Sequence, residues 1–325
     1  ASMSASARAT RPTGRARARP PLDDINPARM TGAPATAFEA NRSYLIRLAY
    51  RMLGSLSDAE DVVQDAWLRW HDSAPEAIAN PRAWLGRVVT RLCLDLMKSA
   101  RRKRETYVGA WLPEPLIETI GAAPSAGEAI DVPYALQLAL ERLSPLERAA
   151  FLLHDIFDLP FAEVGEALER SEASCRQLVS RARRHVREAG PRHPVSPDEA
   201  RRYAQAFFEA AHSTDSTILK GLLTHDAVLR ADGGGKVNSV LNPILGSDRI
   251  GRFFAGVARH DEQEGRATTR YAFVMINGLP GYVSLERGET VQATAFDVRD
   301  GRIAAIYISR NPDKLGQARL WLAET

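Results

Sequence analysis

The chain has 325 residues, of which 45% are hydrophobic and 26% charged, and its formal net charge is +3. This length predicts two or three domains, each with its own core, and the composition is that of a globular protein. No apolar run approaches the ~18 residues of a bilayer span, which excludes a membrane-embedded class. Cys93 and Cys175 lack disulfide or metal-ligand spacing, so we expect buried thiols, a cytoplasmic location and no metal or other cofactor.

Residues 1–35 are rich in Ala, Arg and Pro and contain no apolar segment of the signal-peptide kind, which predicts a disordered basic tail. Helical periodicity then occupies 36–106 and 134–189. The segment 107–133 between these blocks contains Pro and Gly and is predicted to be a linker.

The first block contains a helix predicted to start at Asp58, because Ser57 and Glu60 have capping-box spacing. Its predicted core stripe is apolar and comprises Val62, Val63, Ala66, Trp67 and Trp70. The opposite, exposed face comprises Asp61, Gln64, Asp65 and Leu68. Carboxylates beside an exposed leucine suit either a solvated surface or a partner-binding face.

A second helix of this block begins at Pro81 and carries a cationic stripe. The residues predicted to point inward are Trp84, Leu85, Val88, Leu92 and Leu96. The cations predicted to align on the outside are Arg87, Arg91, Lys98 and Arg101. Such a stripe suits a single-stranded or melted nucleic-acid backbone, and the alternative is a solvated charged face.

The second block has a strong helix start at Ser144, with Pro145 at the first helical position and Glu147 at the third. Residues 160–187 then have the pattern of a helix-turn-helix whose second helix is capped by Ser171. The apolar side of this second helix comprises Cys175, Leu178, Val179, Ala182 and Val186. The adjacent His154 and Asp155 cannot face each other in a helix, and we interpret them as structural.

The polar side of the second helix carries donors for base edges and phosphates in a major groove. It comprises Arg176, Gln177, Ser180, Arg181, Arg184 and Arg187. The alternative is an ordinary amphipathic helix with a solvated polar face.

Beyond the Pro- and Gly-rich boundary at 190–197, the pattern predicts an α+β domain over 196–310 and a C-terminal tail over 311–325. Its helix signals lie at 198–212, 215–223 and 248–259, and its strand signals at 268–276, 281–287, 290–299 and 302–309. Asp300-Gly301 is a strong hairpin signal and Arg287-Gly288 a weaker one, whereas His225-Asp226 is interpreted as a turn or cap.

The segments 58–67 and 143–148 and the helix-turn-helix at 160–183 together resemble the two DNA-binding domains of bacterial extracytoplasmic-function sigma factors. The resemblance covers roughly 36–189, in the order of that family. It implies a subunit that binds core RNA polymerase, through the β′ clamp helices and β, and promoter DNA.

The same resemblance assigns roles to the faces described above. It implies that Asp61, Gln64, Asp65 and Leu68 dock on the β′ clamp helices. It implies that 71–104 melts and reads the −10 element, and that 172–187, with Ser174 among its contacts, reads the −35 element.

Three further motifs resemble the subgroup of these sigma factors that has a fused SnoaL-like C-terminal domain, an α+β cone. They are Trp111-Leu112-Pro113-Glu114-Pro115-Leu116, Asp232-Gly233-Gly234-Gly235-Lys236 and Asn311-Pro312-Asp313-Lys314-Leu315. The resemblance implies that the fused domain sets activity in place of a separate anti-sigma factor. We expect that domain and the tail to pack against the linker motif and hold the DNA-binding domains in one arrangement, active or inactive.

The glycine motif is predicted to be a turn that tolerates positive φ, with an anion-binding nest as the alternative. Acid–base chemistry in the C-terminal domain would need a residue such as Tyr203, His212, Asp226, Asp232 or His260. None stands in a catalytic motif, so an interaction module without a ligand is favoured, with small-ligand sensing in the cone as the first alternative and catalysis as the second. A ligand-regulated helix-turn-helix transcription factor is the competing interpretation of the whole chain.

Overall fold

A computed structural model of the chain describes residues 33–73, 75–105, 107–122, 134–187, 195–266, 268 and 270–324. The predicted basic tail lies almost entirely outside these residues, as do parts of both predicted boundary segments. The helices are α1 (Ala33–Leu53), α2 (Leu56–His71), α3 (Pro81–Glu105), α4 (Tyr134–Glu141), α5 (Pro145–Phe151), α6 (Phe161–Leu168), α7 (Glu172–Arg187), α8 (Pro197–Ala211), α9 (Ser216–Leu222), α10 (Ser247–Gln263) and α11 (Gly316–Glu324).

The strands form a single mixed sheet in the order β1-β4-β5-β6-β7-β2-β3. They are β1 (Ile117–Glu118), β2 (Leu223–Asp232), β3 (Ile244–Leu245), β4 (Arg270–Ile276), β5 (Leu279–Glu286), β6 (Thr290–Arg299) and β7 (Arg302–Ser309). β1 belongs to the predicted linker, so a piece of the linker forms an edge of the C-terminal sheet.

Helix α2 begins earlier than its predicted start at Asp58. Gly54 ends α1 with φ +71°, and Ser55 then adopts an extended conformation in which its hydroxyl accepts from the Asp58 amide at 3.2 Å. Ser55 is therefore the cap, and Ser57 lies in the first helical turn. The predicted core stripe of α2, from Val62 to Trp70, is buried as expected.

Helix α3 buries a face one residue removed from the predicted one. Leu96 is 38% exposed, which contradicts its predicted inward position, and the buried line instead follows Leu85, Val89, Cys93 and Met97. The difference arises because α3 packs against α1 and α2 of the first block and against α5 and α6 of the second. The buried side of α3 therefore faces both blocks and is rotated away from the stripe predicted from the sequence.

Both helical blocks contribute to one hydrophobic cluster, which differs from the expectation of a separate core for each. Leu45, Leu85 and Val89 of the first block share this cluster with Leu152 and Val179 of the second. The capped start of α5 is confirmed, because Ser144 and Glu147 form a capping box with Pro145 at the first turn.

The helix-turn-helix consists of α6 and α7. Glu169 reverses the chain with φ +55°, and the Ser171 hydroxyl accepts from the Ser174 amide at 3.3 Å, as a cap does. The Asp155 carboxylate accepts hydrogen bonds from Nε and Nη2 of Arg183 at 2.7 and 2.8 Å, and these bonds hold α7 against the segment before α6. This contact confirms the structural interpretation of the His154-Asp155 pair.

The C-terminal domain confirms the predicted α+β class but contains strands β2 and β3, which none of the predicted strand ranges covers. β2 pairs in parallel with β7, and its register shifts between Leu223 and Val228. His225 and Asp226 lie in this irregular stretch of β2, so their interpretation as a turn or cap was wrong. The Asp300-Gly301 hairpin is confirmed, and both residues have positive φ.

The sheet is covered on both faces. One face packs on α8 and α10 through Phe207, Ile250 and Phe296. The other face packs on the linker, the first residue of α4 and the tail helix through a separate cluster that includes Leu112, Tyr134, Ile276, Tyr307 and Leu322. Among the described residues, no helix combines the length and apolar character that crossing a bilayer requires.

Candidate interdomain site and nucleic-acid faces

Asp232 ends strand β2, and its carboxylate is completely buried. Its Oδ1 atom accepts from the Tyr107 hydroxyl at 2.5 Å and from the Gly234 amide at 3.0 Å. Its Oδ2 atom accepts from the Leu112 amide at 2.9 Å and from the Lys314 ammonium at 2.7 Å. We call these residues the Asp232 network, which joins the linker, the C-terminal domain and the tail around one charge.

Lys314 is the cation of this network, and its side chain is only 10% exposed. Its ammonium also donates to the Leu112 carbonyl at 2.5 Å and lies 3.9 Å from the centroid of the Trp111 ring. Burial and the hydrogen bond to Asp232 raise the pKa of Tyr107. Removal of one partner from such a buried pair is strongly destabilising, because it leaves an uncompensated charge.

The glycine turn and the tail motif contact each other directly. Gly234 has φ +64°, and a Cβ atom there would lie 2.5 Å from the Asn311 side-chain carbon. Asn311 donates to the Tyr107 hydroxyl at 2.9 Å and accepts from the Asp313 amide at 3.1 Å. On the exposed side, Lys236 pairs with Asp313 at 2.6 Å.

The remaining residues of the two motifs complete these contacts. The amides of Gly234 and Lys236 donate to groups of their own turn, which favours the turn over the anion nest. Gly235 has φ +70°, and Gly233 has no room for a Cβ beside the Val237 carbonyl. Pro312 begins the short helical turn after Asn311, and Leu315 is buried against the sheet.

The linker motif 111–116 also contacts the first helical block. The Glu114 carboxylate accepts from the Leu56 amide at 2.7 Å, and the Glu114 amide donates to the Gly54 carbonyl at 2.8 Å. Burial raises the pKa of Glu114. A Cβ atom at Gly54 would lie 2.5 Å from the Trp111 ring, so the motif is packed closely against the α1–α2 turn.

Asn277, in the turn between β4 and β5, bonds to both helical blocks and to the linker between them. Its side chain donates to the Tyr50 hydroxyl at 2.7 Å and accepts from the Leu116 amide at 3.0 Å. Its amide donates to the Leu116 carbonyl at 2.9 Å, and its carbonyl accepts from the Tyr134 amide at 3.2 Å. One buried residue of the C-terminal domain therefore bonds to the first block, the linker and the second block.

The predicted DNA-reading side of α7 faces outward. Cys175, Val179 and Ala182 are buried, which confirms the predicted apolar side. The exposed residues include Arg176, Gln177, Ser180, Arg181 and Arg184, whereas Ser174 is half-buried. Arg176 pairs with Glu172 at 2.8 Å and lies over the Phe161 ring, so this guanidinium is held at the N-terminal end of the face.

The cationic stripe of α3 meets helix α6 of the second block. Arg87 pairs with Glu166 at 2.7 Å, and Arg91 pairs with Glu169 at 2.9 Å. The stripe is therefore partly neutralised by the helix-turn-helix. The other predicted members are Lys98, which pairs with Asp95 within α3, and Arg101, whose side chain lies outside the described part of the structure.

The face of α2 that the resemblance assigns to polymerase lies at the surface. Asp61 and Leu68 are exposed, the latter by 48%, and Gln64 and Asp65 are half-buried between them. An exposed leucine flanked by carboxylates is the composition expected of a docking face with an apolar centre.

The acid–base candidates of the C-terminal domain do not converge on one site. A cavity of about 1030 Å³ lies between α8, α10 and the sheet, and His212 is the only one of these candidates that lines it. Asp232 belongs to the Asp232 network, His260 pairs with Glu264 at the surface, and Asp226 is exposed. Tyr203 lies outside the cavity, beside Gly301.

Several residues of these sites were missed by reasoning from the sequence. Asn277 had a usable signal, because Asn-Gly is the strongest dipeptide for a two-residue hairpin. Tyr50, Tyr107, Glu166 and Glu169 had none, since their partners lie 64 or more residues away in the chain.

Comparison with known proteins agrees with the order of two helical blocks followed by an α+β domain. The sequence models of Sigma-70 region 2 and Sigma-70 region 4 match residues 37–103 and 134–186. The chain is 41% identical over 287 residues to the ECF RNA polymerase sigma factor SigJ of Mycobacterium tuberculosis, which covers 85% of this chain and 91% of that protein. It is 31% identical over 288 residues to the probable ECF RNA polymerase sigma factor SigI of the same species, with 88% and 96% covered.

The crystal structure of the M. tuberculosis extracytoplasmic function sigma factor SigJ superposes with a TM-score of 0.68 at 38% identity, and it covers 86% of this chain and 97% of that one. The match spans the helical blocks and the α+β domain together. The chain therefore belongs to the extracytoplasmic-function sigma factors, the subunits that bind core RNA polymerase and direct promoter recognition, and to their subgroup with a fused SnoaL-like C-terminal domain.

Proposed function

We propose that the C-terminal domain of this sigma factor holds the two promoter-reading blocks in a closed arrangement and so restrains transcription in cis. The observation that carries this proposal is Asn277, which bonds to Tyr50, Leu116 and Tyr134 at once. Because both ends of the linker are held on one sheet, the blocks cannot separate while these contacts persist.

Separation is needed for geometrical reasons. Elements centred at −10 and −35 are about 25 base pairs apart, or roughly 85 Å along B-DNA at ~3.4 Å per base pair. Arg87 of the first block and Glu166 of the second are only 2.7 Å apart. The blocks must therefore move apart before α3 and α7 contact both elements together.

The promoter contacts follow the exposed faces. Arg176 and Gln177 read the upstream element, and Arg87, Arg91, Lys98 and Arg101 bind the melted strand of the downstream element. Replacement of Arg176 and Gln177 by Ala is expected to weaken transcription through the upstream element by about 1–3 kcal/mol per lost base contact. Unchanged promoter choice in transcription assays with core polymerase would overturn this assignment.

The polymerase contact is the face formed by Asp61, Gln64, Asp65 and Leu68. Its exposed leucine and flanking carboxylates support this role. Replacement of Asp61 and Asp65 by Lys reverses the charge of the face and is expected to abolish binding to core polymerase. Retained binding by a folded variant would show that the face is ordinary surface.

The C-terminal domain acts in this scheme as a regulatory module without catalysis, and the protein works in the cytoplasm beside promoter DNA. Tyr203, Asp226, Asp232 and His260 lie away from the cavity, which supports this role, and His212, which does line it, is engaged with Glu286.

The test is in vitro transcription with core polymerase and the variant Asn277→Gly. Asn277 has φ +49° beside Gly278, so Gly preserves the turn and deletes the side-chain bonds to Tyr50 and Leu116. The matched control is Asp300→Gly, which changes another hairpin turn with positive φ, at an exposed position.

We expect Asn277→Gly to raise transcript yield severalfold and Asp300→Gly to leave it unchanged. Equal yields for wild type and both variants would contradict restraint by the C-terminal domain. A lower yield for Asn277→Gly alone would mean that the contact activates the sigma factor, which also contradicts the proposal.

A further inference from the structure

The cavity of the C-terminal domain has the size and lining of a small-molecule site. Its volume of about 1030 Å³ is at the upper end of the ~300–1,000 Å³ typical of ligand pockets. Aromatic side chains form much of its wall, from Phe208 of α8, Phe253 of α10, and Tyr271 and Tyr282 of the sheet. Flat apolar groups stack favourably on such walls.

Two carboxylates that line the cavity, Glu286 and Asp261, already have partners within the protein. Glu286 accepts from the Thr268 hydroxyl at 2.9 Å and lies 3.8 Å from His212. Burial by itself would lower the pKa of His212. The hydrogen bonds to Glu286 and to the Phe208 carbonyl have the larger combined effect, so the pKa is raised. Asp261 is paired with Arg287 at 2.8 Å.

Among the described residues that line the cavity, Arg310 is the one cation without an ion pair. It directly follows strand β7 and lines the cavity, and its Nε atom is buried without a hydrogen-bond partner. Glu286 and Asp261 act on it electrostatically, yet among the described residues no carboxylate lies within ion-pair distance of its guanidinium. A half-buried, unpaired guanidinium favours an anion, and its planar fork matches a carboxylate.

We propose that this cavity binds a small aromatic or otherwise apolar carboxylic acid, with the carboxylate on Arg310 and the apolar body against the wall that the packed rings of Phe208, Tyr271 and Tyr282 form. A dianion such as phosphate is disfavoured, because among the described lining residues only the Arg310 guanidinium has no ion pair, and the Glu286 and Asp261 carboxylates lie nearby. Glu262 and Arg266 lie at the exposed rim, where water screens them.

The position of Arg310 connects this site to the interdomain contacts. Its backbone amide donates to the Asp232 carbonyl at 2.7 Å, and the next residue, Asn311, donates to the same carbonyl at 2.9 Å. The Asn311 side chain then bonds to Tyr107 of the linker. A ligand that moves Arg310 therefore acts on the Asp232 network directly, a step that rests on the proposed restraint in cis.

The binding test uses calorimetry on the full-length protein with 2-naphthoate, decanoate, the uncharged 2-naphthamide and inorganic phosphate. We expect at least one of the two acids to bind, and 2-naphthamide and phosphate to bind about 10- to 100-fold more weakly or not at all. No binding by either acid, or equal binding of 2-naphthoate and 2-naphthamide, would overturn the proposal.

Variants separate the role of Arg310 from folding. Arg310→Gln should weaken acid binding about 10- to 100-fold, and Arg310→Lys, which keeps the charge but not the fork, should have an intermediate effect. The matched control Arg302→Gln alters an exposed arginine at the start of β7, the strand that Arg310 follows, and should change nothing. If Arg310→Gln fails to fold, Val257→Trp tests the site by filling the cavity, and undiminished binding by that variant would overturn the proposal.

Transcription assays then test the connection to regulation. We expect the bound acid to change the transcript yield of wild-type protein and to have a smaller effect on Asn277→Gly, whose restraint is already weakened. If the acid binds but does not change the transcript yield, the coupling is overturned while the binding site stands. If Asn277→Gly without ligand gives the same transcript yield as wild type, the restraint in cis is overturned instead.

Discussion

Two sets of charged contacts join the parts of this sigma factor, and they differ in their access to water. Asp232 and Lys314 form a pair that is 0% and 10% exposed, surrounded by further donors and acceptors. The Arg87–Glu166 and Arg91–Glu169 pairs have side chains between 38% and 72% exposed. A broken pair of the first kind leaves a buried charge, whereas a broken pair of the second kind is replaced by water.

This difference assigns separate tasks to the two contacts. The buried network keeps the linker and tail on the C-terminal domain in a defined register. The exposed pairs that α3 makes with Glu166 of α6 and with Glu169 in the turn after it contribute little free energy, so they are suited to opening when promoter DNA competes for the arginines.

The largest expected effect is that of Asp232→Asn, which leaves Lys314 buried without a counter-charge. We expect a loss of about 3–5 kcal/mol in the free energy of unfolding, measured by urea denaturation. The control Asp313→Asn breaks the exposed pair with Lys236 and should cost at most about 1 kcal/mol. Similar losses for both variants would remove the distinction between buried and exposed contacts.

A smaller effect is expected for Gly234→Ala. The new Cβ would meet the Asn311 side chain, and the residue has φ +64°, so we expect a loss of about 2–3 kcal/mol. Gly288→Ala is the matched control, because Gly288 has φ +72° with open space around it and should cost about 1 kcal/mol. Thermal denaturation of both variants measures the difference, and equal losses would show that the contact with Asn311 has no energetic weight.

The smallest effect on stability is expected for the double variant Glu166→Gln, Glu169→Gln. Each exposed pair contributes about 0.2–1 kcal/mol, so the variant should unfold close to wild type. Its affinity for single-stranded DNA should nevertheless rise, because Arg87 and Arg91 lose their intramolecular partners. Glu264→Gln, which changes exposed pairs of the C-terminal domain with His260 and Arg266, is the control in fluorescence anisotropy. A double variant with unchanged DNA affinity would argue against competition for the arginines.

The errors of the sequence-based interpretation have identifiable physical causes. Leu96 lies on the apolar stripe of α3 by spacing, yet the contacts of α3 with two blocks rotate the buried line toward Val89 and Cys93. β2 was missed because its irregular stretch around His225 and Asp226 breaks strand alternation, and its long partner β7 lies about eighty residues away. Asn277 was overlooked although its Asn-Gly turn is visible in the sequence.

The sequence by itself determined the features that depend on near neighbours. The cap at Ser171, the capping box at Ser144 and the Asp300-Gly301 turn form through bonds within a few residues, and α7 acquires its two faces from helical periodicity. The tertiary structure alone decided which charges are buried, neutralised or left without a counterion. Asp232 bonds to Tyr107, which is 125 residues away in the chain, and Arg87 pairs with Glu166, which is 79 residues away. Residue spacing along the chain carries no information about contacts of that range.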